Sequence, residues 1–209
     1  MKPDIQAIDA VTNIWTPQAL ASRPDRRAFY SKMRVPSELY EGISLETMLE
    51  RMDAAGVERA MLIAAKVGDK NHPSCYHVPY ELVRDAVRQY PDRFYGLAGL
   101  DPTEGMRGVR QLEQAVKEYG FIGAHFYPHW FELAADHARW YPFYAKCVEL
   151  DIPVQLQVGQ SMIYDTNYPR RSVGRPISLD SVACDFPELR LIGIHVGIPW
   201  TDEMIAMAW

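Results

Sequence analysis

The residue best placed to do chemistry in this chain is His195. It closes the apolar run Leu189-Arg190-Leu191-Ile192-Gly193-Ile194 and is followed at once by Val196-Gly197-Ile198-Pro199-Trp200. An imidazole at the tip of a buried strand, with a tight Gly/Pro turn beyond it, suits metal ligation or proton exchange near neutral pH. His125 has a related setting in Gly120-Phe121-Ile122-Gly123-Ala124-His125-Phe126-Tyr127-Pro128. Strand alternation puts Gly123 and His125 on one face, which suits a barrel interior near its mouth. His129 lies beyond Pro128 and is expected to be an exposed loop histidine.

Other residues could hold a substrate against these two. Gln155 and Gln157 alternate with apolar residues in Pro153-Val154-Gln155-Leu156-Gln157-Val158, and buried amides need partners. Gln157 is nearer the strand tip and is the one assigned to the site. Asn13 stands just past the first strand. Tyr127 and Trp130 offer an aromatic wall, whereas Trp140, Tyr141, Phe143 and Tyr144 read as helix-to-barrel packing. Arg170, Arg171 and Arg175 follow the fifth strand, where a guanidinium can clamp a carboxylate or phosphate. Arg175 is taken as the binding residue among them.

Such residues need a scaffold that presents strand tips, and the chain repeats one unit: helix, breaker, apolar strand, polar tip. Strands are expected at Ile5–Val11, Arg59–Ala65, Arg93–Leu100, Phe121–Phe126, Ile152–Val158 and Leu189–Val196. Ser44 can cap a helix that Gly56 stops. Gln18–Tyr40, Lys66–His77 and Gln160–Pro176 read as loops, and a helix is expected from near Ser178. The fold class is therefore α/β, of the TIM-barrel (β/α)8 type, with about six of its eight strands present. Residues 1–209 read as a single domain, incomplete at its C-terminal end. The first and sixth strands would then have open edges, to which a second copy can pair.

Bulk properties exclude several classes. The 209 residues carry 22 Lys and Arg against 27 Asp and Glu, a formal charge of −5. No basic run points to nucleic acid. No apolar run reaches the ~18 residues of a membrane span. Three dispersed cysteines, Cys75, Cys147 and Cys184, read as reduced thiols of a cytoplasmic protein, with Cys147 and Cys184 as small apolar packers. No dinucleotide fingerprint, P-loop, nucleophile elbow or His-Glu-x-x-His occurs. A small organic molecule is the expected partner.

In order along the chain, Ile8-Asp9-Ala10-Val11-Thr12-Asn13-Ile14-Trp15, Gly123-Ala124-His125-Phe126-Tyr127-Pro128, Pro153-Val154-Gln155-Leu156-Gln157 and His195-Val196-Gly197-Ile198-Pro199-Trp200 resemble the amidohydrolase-related family. The branch that includes aminocarboxymuconate-semialdehyde decarboxylase-like enzymes is the one they resemble. The resemblance covers essentially the whole chain and is most specific at His195-x-Gly-x-Pro-Trp. It implies a (β/α)8 barrel with one divalent metal, often zinc. It also implies a His-x-His pair after the first strand, a histidine ending the fifth, an aspartate ending the eighth and a catalytic histidine ending the sixth. The pair falls here on Val11 and Asn13, the fifth-strand histidine on Gln157, and the aspartate beyond Trp209. His195 keeps its family position, and His125 falls where some barrel hydrolases carry a lysine. No tightly bound metal is therefore expected, with zinc or another divalent ion left open through His125 and His195.

The expected activity is hydrolysis of a small carbonyl- or carboxylate-bearing substrate, with aromatic ones in range. His195 would be the acid/base and His125 would polarise a carbonyl or position water. Non-oxidative decarboxylation or C–C hydrolysis on the same scaffold is the alternative. A non-catalytic small-molecule binding protein on a decayed barrel is the alternative of a different class.

Overall fold

The computed structural model describes residues 6–161 and 168–209. The expected strand start at Ile5 and part of the Gln160–Pro176 loop lie outside the described residues. Eight strands are present among those described: β1 (Ala7–Asn13), β2 (Val57–Ala64), β3 (Lys66–Val67), β4 (Tyr76–His77), β5 (Phe94–Gly99), β6 (Gly123–Phe126), β7 (Val154–Gln157) and β8 (Leu191–Ile194). The helices are α1 (Pro17–Leu20), α2 (Arg27–Lys32), α3 (Leu45–Ala55), α4 (Tyr80–Gln89), α5 (Met106–Lys117), α6 (Pro128–Phe131), α7 (Tyr141–Glu149), α8 (Ser178–Asp185) and α9 (Thr201–Met207).

Six strands form one parallel sheet in the order β1-β2-β5-β6-β7-β8, which is also their chain order. Each is reached through a helical crossover, the arrangement of βα-barrel units. The sheet is curled. Four strand spacings separate β1 from β7, about 19 Å across a flat sheet. Yet the Gln155 side chain on β7 donates to the Ala10 carbonyl of β1 at 2.8 Å. A glutamine side chain spans that gap only if the sheet bends round on itself. Among the described residues β1 pairs only with β2, and β8 only with β7. Ile8 and Ile192 on these two end strands are 55% and 40% exposed.

The longer helices α3, α4, α5 and α7 form where the sequence says. Ser44 accepts from the Thr47 amide at the start of α3, and Gly56, with φ +73°, ends it. Trp140, Phe143 and Tyr144 are buried, and the rings of Trp140 and Tyr144 pack on Phe126 of β6, as the packing reading of the Trp140 cluster expects. Cys147 packs there, but Cys184 is exposed, which corrects its reading as a packer.

Four local features differ from expectation. The segment 18–40 holds two short helices, started by Thr16-Pro17 and by Arg26, that are too brief to show an apolar period. Within 66–77, β3 and β4 pair as a small antiparallel ribbon. The helix expected to be capped near Ser178 does start there, but the Ser178 hydroxyl makes no cap and donates to the Arg175 carbonyl instead. Finally, β8 stops at Ile194 rather than Val196, because His195 (φ +72°) and Val196 (φ +57°) turn left-handed. A β-branched residue in that region is strained, and strain of this kind gathers at working sites.

Candidate active site

The site grows from the register of β6 against β7, where His125 lies opposite Gln155. His125 is fully buried, and its Nδ1 is 2.7 Å from Gln155 Oε1. The Gln155 amide nitrogen is committed to the Ala10 carbonyl, so its oxygen must face the imidazole. An amide oxygen only accepts, so His125 Nδ1 carries the hydrogen and donates it. Nε2 is then the lone-pair nitrogen, and it is buried with no partner. Burial lowers the His125 pKa to about 4, against the pull of Gln155, with nearby His195 lowering it further. The ring is thus held neutral in one tautomer as a buried acceptor.

His129 corrects the expectation of an exposed loop residue. It sits in α6, 1% exposed, with both ring nitrogens buried and unpartnered. Its ring lies against Gly174, where a side chain would collide with it. Burial takes its pKa to about 4 as well, and His195 again adds to the fall. His195 stands exposed on the turn after β8, its pKa lowered by partial burial. The three imidazoles therefore share one neighbourhood, in which a proton on His195 disfavours a proton on either of the others.

The two buried rings set an acid limit on stability. The unfolded chain takes up protons near the ordinary histidine value of 6.5, whereas the folded rings stay neutral to about 4. Their contribution is complete above pH 6.5 and is lost as the pH falls from there towards 4. Urea midpoints should fall across that window, and a His129→Phe variant should show a shallower fall. Parallel curves for the two proteins would mean that His129 titrates normally.

The other sequence-assigned residues divide. Tyr127 follows β6, and its ring centroid is 4.4 Å from that of His125. Burial raises its hydroxyl pKa above the usual range. Gln157 ends β7 half-buried, paired in register with Ile194 and so next to the His195 turn. Asn13 ends β1, half-buried, rather than standing past it. Trp130 is buried in α6 and carries the guanidinium of Arg170 at 4.6 Å. Arg175 is exposed, paired with Glu203 and stacked on Trp200. Gln155 is the residue the sequence reading passed over. Both amides share a face, but only the deeper one meets His125.

Titratable groups also cluster between α4 and α5. Among the described residues, His77, Asp101 and Glu104 form the group whose ligand atoms lie within 4.8 Å of one another, the spacing a metal ion needs. Lys66 Nζ, however, already sits on Glu104 and also donates to Gln111 at 2.8 Å. Among the described residues no group of three donors at this spacing includes the mouth histidines, and the family resemblance sets Val11, Asn13 and Gln157 at its ligand positions. These three do not fit a zinc site, since valine has no donor and neutral amides are poor ligands.

A parallel sheet curled in this way, with a helical crossover between successive strands, is six strands of a βα-barrel. The chain belongs to the amidohydrolase family, whose model matches residues 8–209. It is 31% identical over 163 residues to 2-keto-4-carboxy-3-hexenedioate hydratase of Sphingobium sp. (strain NBRC 103272 / SYK-6), covering 66% of this chain and 46% of that protein. It is 26% identical over 141 residues to gamma-resorcylate decarboxylase of Polaromonas sp. (strain JS666 / ATCC BAA-500), covering 56% and 43%. The chain thus spans somewhat under half the length of these curated relatives. An uncharacterized TIM-barrel protein of Bordetella bronchiseptica superposes with a TM-score of 0.72 at 26% identity, over 98% of this chain and 72% of that one. The fold is also that of 5-carboxyvanillate decarboxylase from Novosphingobium aromaticivorans DSM 12444, crystallised with manganese (TM-score 0.69, 18% identity, 98% and 69% covered). Among the described residues no helix is long and apolar enough to cross a membrane.

Proposed function

We propose that the protein is an acid–base enzyme of the hydratase or decarboxylase kind, acting on a small conjugated or aromatic carboxylate. The observation that carries this reading is the His125–Gln155–Ala10 chain, which leaves a buried imidazole lone pair beside Tyr127 and near His195. Hydration and decarboxylation share one step, delivery of a proton to a carbon of a conjugated substrate. His195 is the group assigned to that transfer, being exposed and only partly subject to the burial that fixes the other two rings. His125 accepts a hydrogen bond from a substrate hydroxyl or a water, and Gln157 and Asn13 bind substrate oxygens. Trp130 and Tyr127 supply apolar and aromatic surface.

The same groups would serve hydrolysis of an ester or amide, and one measurement separates the two. Turnover in D2O by a hydratase, a decarboxylase or a C–C hydrolase leaves deuterium on a product carbon, whereas hydrolysis of an ester or amide leaves none. Product analysis by NMR after incubation with 2,6-dihydroxybenzoate or an unsaturated keto-dicarboxylate reads this directly. Loss of substrate without carbon-bound deuterium would return the assignment to a hydrolase. Binding without turnover would favour a non-catalytic binder, the reading that Val11 and Asn13 support.

A divalent ion in this family supplies Lewis-acid polarisation of a bound oxygen. No step here is routed through one, because the mouth donors do not match three-ligand spacing. The purified protein should carry well under one equivalent of zinc or manganese by elemental analysis. Stoichiometric metal lost in His125→Ala or His195→Ala would place an ion at the mouth and reverse this. Metal lost only in His77→Ala would place it between α4 and α5.

A further inference from the structure

Most arginines in this protein that make contacts have a carboxylate. Arg27, Arg59, Arg84, Arg93, Arg107, Arg175 and Arg190 each face an acidic side chain within 4 Å or closer. Three others do not. Among the described residues no carboxylate forms an ion pair with Arg23, Arg26 or Arg170. This is unexpected in a chain with five more acidic than basic residues.

The three belong to one stack. Arg23 Cζ lies 5.0 Å from the ring centroids of both Trp15 and Tyr76. Arg26 Cζ lies 5.4 Å from the same Tyr76 and 5.0 Å from Trp130. Arg170 covers Trp130 at 4.6 Å. Aromatic rings and guanidinium groups thus alternate, drawn from the loops after β1, β2, β6 and β7. Arg26 donates to the Ser74 carbonyl at 2.9 Å and Arg170 to the Ser74 hydroxyl at 2.7 Å, so the two charges converge on one residue. The Nε atoms of Arg23 and Arg26 are buried with no acceptor. The Arg23 charge opposes the burial that raises the Tyr127 hydroxyl pKa, and the Tyr127 ring centroid is 4.4 Å from that of His125.

Three converging cations repel one another and hold N–H donors without acceptors. An aromatic face takes only one side of a guanidinium. It leaves the in-plane N–H groups, the fork that matches a carboxylate. Arg170 rests part of its fork on the Trp130 carbonyl at 3.0 Å and on Ser74, and a bound carboxylate would compete for those donors. We propose that this stack is a carboxylate-recognition wall that selects substrates bearing two or more carboxylates. The proposal rests on the reading of the mouth as a substrate site and names the substrate class of that site. Two anionic groups on the wall supply the counter-charge that no described carboxylate supplies, while the reacting carbon faces the histidines.

Calorimetric titration of the whole protein with benzoate, benzene-1,3-dicarboxylate, benzene-1,3,5-tricarboxylate and inorganic phosphate tests this. Affinity should rise about tenfold with each added carboxylate and fall as salt is raised. Arg26→Met and Arg170→Met keep the stacking stem and should each weaken the tricarboxylate about tenfold or more, leaving benzoate nearly unchanged. Arg26→Lys and Arg170→Lys keep the charge without the fork and should lose severalfold; they serve if a Met variant fails to fold by circular dichroism. Equal affinity for one and three carboxylates, or folded variants that bind as the parent does, would overturn the proposal. Phosphate binding as tightly as the tricarboxylate would overturn it too, in favour of an inorganic oxyanion site. His195→Ala should bind the tricarboxylate like the parent. Selective binding without any deuterium incorporation would therefore remove the catalytic reading and leave the wall intact.

Discussion

A His195→Ala protein is expected to turn over its substrate about 10²- to 10⁴-fold more slowly, the usual contribution of a positioned general acid or base. The loss should fall on kcat, because His195 stands on a turn, outside the aromatic and guanidinium surface assigned to binding. The pH profile is the second readout. The His195 pKa is held below the ordinary value and that of His125 is about 4. Delivery of a proton to carbon needs His195 protonated beside a neutral His125. The rate should therefore rise as the pH falls from 6.5 through the lowered His195 pKa, and decline again only as His125 takes up a proton near 4. His125→Gln should also cut the rate, since an amide offers a weaker acceptor. It should leave the limb set by His195 in place. Undiminished turnover in His195→Ala would remove this residue from the mechanism.

Glu104→Ala is expected to cost about 3–5 kcal/mol of unfolding free energy, because it strands the Lys66 ammonium in the interior. The side chains of Lys66 and Glu104 are 7% and 6% exposed. Burial already lowers the Lys66 pKa, with Glu104 and Asp101 opposing that fall. Without Glu104 the remaining supports are the Gln111 side chain, the ring face of Tyr80 at 5.0 Å and the charge of Asp101, which makes no direct contact with the ammonium. The double variant Lys66→Met, Glu104→Leu removes both charges at similar volume and should recover most of the loss. Urea unfolding of the single and double variants measures this. A Glu104→Ala cost under about 1 kcal/mol would mean that water or another group reaches Lys66.

The scaffold was legible because it is written in short apolar runs at regular spacing. All six sheet strands lie within or beside the runs that predict them. The misplaced ends have physical causes. Ile194-His195-Val196 looks like strand because two of its three residues are apolar, and the left-handed turn is imposed by what surrounds it. The helices α1 and α2 are shorter than the window in which a period can be seen. At the site, strand-tip placement found His125 and His195, since a tip follows from local sequence alone. What it could not find was depth. Gln155 and Gln157 share a face by alternation, and only the curl of the sheet decides which meets His125. His129 reads as a loop residue because its cover, Gly174, lies far along the chain. The same holds for Arg170, whose partners Ser74 and Trp130 come from two other loops, and for Lys66, whose partner is 38 positions away.

The hydrogen bond from Gln155 to Ala10 also makes the chemistry of His125 answer to the shape of the sheet. Widening that 2.8 Å contact by about 1 Å takes it past hydrogen-bond reach. The amide is then free to turn over and present its NH2 to the ring. His125 Nδ1 would have to accept, and the hydrogen would pass to Nε2. The nitrogen facing the mouth would change from acceptor to donor with no change of charge. Breathing of the strands and the polarity of the site are thus one motion, and exchange between the two imidazole tautomers reports how tightly the sheet is drawn.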